Sequence, residues 1–138
     1  MFLLDTNVIS ELRRPDKADR RVVAWAGAIP AASFFISVIS ILEIELGARL
    51  IERKDAAQGA ILRSWINSQI LARFEGRILA IDTAVAQRCA QLHVPNPRAE
   101  RDALIAATAL VHGLTVVTRN VEDFKPTGVP LLNPWDEA

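Results

Sequence analysis

Short apolar runs alternate along this chain with longer amphipathic stretches, and that alternation restricts the fold more than any single motif does. Runs at residues 1–4, 33–37, 77–81, 114–118 and 130–132 are β-branched, aromatic or leucine-rich and read as strands. Between them, residues 8–12, 22–28, 39–53, 58–74, 83–92 and 99–112 carry apolar positions at helical spacing. Strands that alternate with helices predict an α/β fold, with a central, mainly parallel sheet covered by helices on both faces. At 138 residues the chain has enough length for one domain with a real core, spanning residues 1–138.

The composition excludes several classes. Hydrophobic residues make up 51% and charged residues 23%, which argues against disorder. Basic and acidic residues are both 16, so the formal net charge is zero. That balance argues against a surface that grips nucleic acid all over, but it permits a local basic groove. A single cysteine, Cys89, excludes an intrachain disulfide and cysteine-rich zinc sites, and it fits a reducing compartment. No basic region precedes the first apolar run, and no apolar stretch reaches the ~18 residues of a membrane span. The chain is expected to be soluble and cytoplasmic.

The first strand stops at a carboxylate, in Leu4-Asp5-Thr6-Asn7-Val8. In open α/β sheets, ligands bind beyond the carboxyl ends of the strands, so an acid there is a site candidate, although it can equally be a helix N-cap. Three further acids arrive at comparable points. Glu43 has Ile39, Leu46 and Leu50 as same-face neighbours, and a carboxylate on an apolar stripe requires a partner, a proton or a metal. Asp102 lies in the first turn of the helix at 99–112, and Asp123 follows the strand at 114–118. Parallel crossovers place all these points at one sheet edge. Four converging carboxylates repel one another unless a hard divalent cation joins them, and an all-oxygen donor set suits Mg²⁺ or Mn²⁺. Such a cation activates water for attack at phosphorus.

Other acids have simpler roles. Asp82 precedes a helix and reads as its N-cap, Glu45 and Glu52 share a charged helix face with Arg49, and Glu100, Arg101 and Glu122 read as solvent-side residues. Trp25 reads as packing, and Gly113 as the stop after His112. The basic cluster Arg13, Arg14, Lys17, Arg20 and Arg21 reads as a solvated stretch or as a phosphate-contacting rim beside Asp5.

The first motif, the helical Glu43, the run Asp102-Ala103-Leu104-Ile105-Ala106-Ala107-Thr108-Ala109, and Val117-Thr118-Arg119-Asn120-Val121-Glu122-Asp123-Phe124 together resemble a PIN domain. More narrowly they resemble VapC-type toxins of bacterial toxin–antitoxin pairs, and Asn133-Pro134-Trp135 is similar to the branch that includes FitB. The resemblance implies a PIN-like three-layer sandwich and a Mg²⁺- or Mn²⁺-dependent endoribonuclease acting on single-stranded or loop RNA. Asp5 and Asp102 match the principal metal ligands, Glu43 a second acid that binds directly or through water, and Asp123 the fourth acid. Thr118 and Asn120 match polar residues that orient water or a ligand. Some family members carry an acid where this chain has Asn120. Homodimerisation and a small antitoxin in the groove are further implications, with Arg13, Arg14, Arg98 and Arg101 available to contact the RNA backbone.

Two other readings compete. A haloacid-dehalogenase-type phosphohydrolase also starts with a strand ending in Asp, but it needs a second acid where this chain has Asn7. A non-catalytic RNA-binding or interaction module would use the same acids only to hold a basic partner.

Overall fold

The computed structural model describes residues 1–136. Five strands, β1 (Phe2–Leu4), β2 (Phe34–Ser37), β3 (Ile78–Leu79), β4 (Thr115–Val117) and β5 (Leu131–Leu132), form one sheet in the order β3-β2-β1-β4-β5. Every neighbouring pair is parallel. The chain moves outward from β1 through β2 to β3, then returns to lay β4 on the other side of β1. The strand order therefore reverses at β1, and a crevice opens beyond the carboxyl ends of β1 and β4.

Among the described residues, seven α-helices cover the sheet: α1 (Thr6–Leu12), α2 (Arg20–Gly27), α3 (Val38–Lys54), α4 (Ala56–Trp65), α5 (Thr83–Leu92), α6 (Glu100–His112) and α7 (Val121–Phe124). Side chains alternate across the pleat, so Leu4 and Val117 face one layer while Leu3 and Val116 face the other. The first core adds Val8, Ile9, Val22, Ile44 and Ile66 from the helices, with Phe2, Trp25 and Phe34 packed together in edge-on and tilted contacts. The second adds Ile105, Ala106 and Ala109 of α6 with Phe124 of α7. Alanines at 103 and 107 let α5 pack closely on α6 through Val85 and Cys89. This is the α/β three-layer arrangement that the alternating pattern predicts.

Several local readings hold. Asp82 caps α5 by accepting from the Val85 N–H, Gly113 ends α6 with φ 67°, and Trp135 folds back into the core. Two need correction. The helix predicted over 58–74 is α4 followed by a wider π-type turn, Ile66–Leu71, and of its apolar positions at helical spacing Ile61 is 53% and Leu71 37% exposed. Ile66 and Ile70 lie in the core and Leu62 and Trp65 pack against it, while Ile61 and Leu71 face out. Of the stripe assigned to Glu43, Ile39 is buried in the second core, but Leu46 and Leu50 are exposed, and Ile44 and Ala48 carry the buried face further along. Helix α3 is held to α4 instead by Glu45, whose carboxylate accepts two bonds from Arg63 at 2.9 and 2.5 Å, and by Gly59, where a Cβ would lie 2.7 Å from that of Glu52.

Candidate active site

Asp5 sits where β1 becomes α1. Its backbone N–H bonds the Val117 carbonyl at 2.9 Å, extending the β1–β4 ladder by one residue, and its side chain caps α1. The cap and site readings of this residue are thus compatible. Oδ1 accepts from the Thr6 N–H at 2.8 Å, and Oδ2 accepts from the Thr118 hydroxyl at 2.9 Å and from Asn7 Nδ2 at 3.3 Å. A carboxylate offers about four acceptor positions, so one on Oδ1 stays free.

Thr118 is fully buried at the end of β4. Besides donating to Asp5, its oxygen accepts from Asn7 Nδ2 at 3.2 Å and from the Asn120 N–H at 3.0 Å. That hydroxyl is committed to Asp5 and has nothing left for water. Asn7 is fixed from both ends, since its Oδ1 accepts from the Arg119 N–H at 3.2 Å. Asn120 caps α7 through its backbone, and its exposed side chain makes no hydrogen bond among the described residues.

Glu43 reaches the same crevice from α3. Its Oε1 accepts from the Thr6 hydroxyl at 2.7 Å, and Ser40 Oγ lies 3.0 Å from that hydroxyl. Glu43 Oε2 is 3.7 Å from Arg101 of α6. Arg101, placed on the solvent side from sequence, therefore belongs to the site, and so does the buried Ser40. Position 40 carries a readable signal, being one turn before Glu43 on the same helix face. The sequence offers Arg101 only as a phosphate contact; its pairing with Glu43 is unreadable there, because the two lie on different helices far apart in sequence.

The electrostatics join all four acids. Asp5 is raised from 3.8 to about 6, mainly by burial, with the Asp102 and Glu43 charges adding and the Thr118 and Thr6 bonds opposing. Asp102 is raised by burial, then by Asp123 and Glu43. Asp123 is exposed and shares an open cleft with Asp102, Arg98 and Glu122. The four carboxylates ring the crevice, but among the described residues no three of their oxygens come within 4.8 Å of one another.

The one trio that does is Cys89, His93 and Glu100, between α5 and α6. Its chemistry is unsuited to a cation as it stands. His93 Nδ1 accepts from the Arg98 N–H at 3.0 Å, so the ring proton lies on Nε2, the nitrogen that faces Glu100 at 3.3 Å. Burial and the Glu100 charge also push the Cys89 thiol up.

The donor set around Asp5 does suit a hard divalent cation. It is all oxygen, it carries an excess of negative charge, and it leaves a lone pair of Asp5 free. Its open spacing matches an ion that keeps part of its water shell.

A PIN domain family model matches residues 2–128. The chain is 38% identical to the toxin FitB of Neisseria gonorrhoeae (strain ATCC 700825 / FA 1090), covering 99% of this chain and all of that protein. It is 32% identical to the VapC ribonuclease Y4jK of Sinorhizobium fredii (strain NBRC 101917 / NGR234), over the full length of both. The crystal structure of FitAcB from Neisseria gonorrhoeae superposes with a TM-score of 0.90 at 38% identity, covering 99% of each chain. With its sheet order, its acid-lined crevice and these full-length matches, the chain belongs to the PIN-domain family, on the branch of the FitB and VapC toxins.

Proposed function

We propose that this protein is a Mg²⁺-dependent endoribonuclease, with Mn²⁺ as a working substitute, and the toxin of a toxin–antitoxin pair. The observation that carries the reading is the Asp5 network: a nearly buried carboxylate, held by three donors, beside two other acids whose charges it feels. Folding a charge into such a place is costly unless a cation offsets it.

Asp5 and Asp102 would hold the cation directly, with Glu43 and Asp123 bound directly or through water. When bound, the cation supplies positive charge to a phosphodiester and lowers the pKa of water for in-line attack at phosphorus. The protein's part is positioning. Thr118 and Asn7 fix the rotamer of Asp5, Thr6 fixes Glu43, and Arg101 presents a guanidinium edge toward a phosphate oxygen. Asn120 is free to orient a water or a nucleotide at the crevice mouth. The substrate is single-stranded or loop RNA, whose unpaired nucleotides can be splayed out to present a phosphodiester to the crevice.

The partner is a small antitoxin, a reading supported by similarity to FitAcB and to FitAB bound to an IR36 DNA fragment. Leu42, Leu46, Leu50 and Ile61 form an exposed apolar surface on α3 and α4 that suits such a partner or a second copy in a homodimer. Purified protein incubated with total RNA tests the activity. Cleavage is expected with Mg²⁺ or Mn²⁺ and none with EDTA. Wild-type binding of RNA without cleavage in Mn²⁺ would favour the non-catalytic module.

A further inference from the structure

Beside the acids, a second cleft runs between α1, α3 and α4. It is about 180 Å³ and opens at Thr6 and Glu43, so it is continuous with the site just described. Its far wall is Trp65, with Leu62 and Ala48 along its floor, and Arg13 stands over the indole ring at 5.9 Å. Arg13 also borders two neighbouring clefts, one with Arg14 and Lys17 and one with Arg73, Phe74 and Arg77.

Arg13 is only partly exposed, yet among the described residues it has no carboxylate within ion-pair distance. Arg21, Arg49, Arg63 and Arg101 all have one. A partly desolvated guanidinium facing an aromatic ring, flanked by further cations and open to an acidic centre, is the pattern of a site for an anion attached to a flat apolar group. Gly47 keeps the cleft open, because a Cβ there would meet nothing within 4 Å.

We infer that this cleft is the nucleotide subsite next to the cleavage point. Trp65 and the Arg13 plane offer a stacking surface to one base, and the Arg13 charge receives the adjoining phosphate. The inference rests on the ribonuclease reading, and it adds the residues that grip the strand. The occupant is single-stranded RNA because the cations line the path outward from the acids, where a polyanion needs them and an apolar helix does not.

The test measures binding in the Asp5→Asn background, where RNA stays intact, and cleavage separately in wild type. Twelve-nucleotide uridine and adenosine RNAs, end-labelled, serve as probes in fluorescence anisotropy from low to moderate salt. Arg13→Gln is expected to weaken binding about tenfold and to reduce the slope of log K against log salt by roughly 0.7, the loss of one phosphate contact on a single strand. Trp65→Leu is expected to weaken binding about tenfold, with Trp65→Phe restoring most of it. Gly47→Leu projects a side chain from a Cβ that meets nothing within 4 Å, and is expected to weaken binding similarly while leaving the melting temperature no lower.

In active protein, Arg13→Gln is expected to raise KM more than it lowers kcat. Unchanged affinity and salt slope in Arg13→Gln and Gly47→Leu would overturn the inference, even where wild type cleaves RNA, and would leave the cleft to a protein partner. Wild type that cleaves nothing would instead overturn the ribonuclease reading beneath it.

Discussion

Asp5 and Asp123 stand on opposite sides of the same crevice and are held in opposite ways. Asp5 is 6% exposed, extends a β ladder through its backbone, and its carboxylate accepts from the Thr6 backbone N–H and the Asn7 side chain of α1 and from the Thr118 hydroxyl just after β4. Asp123 is exposed on a one-turn helix, and its side chain makes no hydrogen bond among the described residues. One acid is fixed by the fold before any cation arrives, whereas the other is free to move. Preorganisation is therefore concentrated at the reversal of strand order. The rim contributes charge rather than geometry.

The largest expected effects lie on the fixed side. Asp5→Asn or Asp102→Asn should lower the Mg²⁺-dependent cleavage rate by more than about 100-fold, because even residues that only support metal ligands cost 10–100-fold. Gel assays of RNA cleavage would show it, with circular dichroism checking that the fold is kept. Full activity in Asp5→Asn would remove the catalytic assignment.

Thr118→Val probes the support itself. It keeps shape but leaves Asn7 Nδ2 and the Asn120 N–H without their shared acceptor, and frees Oδ2 of Asp5. Cleavage should fall about 10–100-fold, and stability by about 1–3 kcal/mol in urea unfolding. An unaffected rate would mean that Asp5 needs no fixing.

Asp5 also makes stability depend on pH. Its folded pKa of about 6 lies above the unfolded value of 3.8, so the folded form binds the proton more tightly. The stability it contributes is complete below about pH 3.8 and is lost as pH rises through about 6, a swing of about 3 kcal/mol at 1.36 kcal/mol per unit. Metal-free Asp5→Asn should therefore lack this fall between pH 4 and 7, as followed by thermal melts. An equal fall in both proteins would place its origin elsewhere.

The smallest effect belongs to the free side. Asp123→Asn should cost less than about tenfold in rate and leave the melting temperature unchanged. A loss as large as that of Asp5→Asn would show that exposure is no guide to rank here.

The layered fold was legible because β-branched runs and helical spacing repeat with few interruptions. Asp5 was legible because a strand visibly stops at it, and Asp102 because it opens an alanine-rich helix. The reason for Glu43 was misread. Its face of α3 borders a crevice and open surface, and a helix with apolar residues on two faces does not reveal from sequence which one is covered. The same ambiguity applies to Ile61, which is exposed on α4. Arg13 and Arg101 were legible as phosphate contacts, but the pairing of Arg101 with Glu43 and the Arg13–Trp65 cleft were not, for another reason. Each joins residues far apart in sequence, across helices whose relative rotation depends on packing.

The central claim is that the Asp5 crevice is a divalent-cation site. Isothermal titration of Mn²⁺ into the full-length protein at pH 7, compared with Asp5→Asn and with Asp123→Asn, tests it most directly. Saturable binding is expected in wild type, abolished in Asp5→Asn and weakened by less than about tenfold in Asp123→Asn. Equal Mn²⁺ affinity in wild type and Asp5→Asn would contradict it.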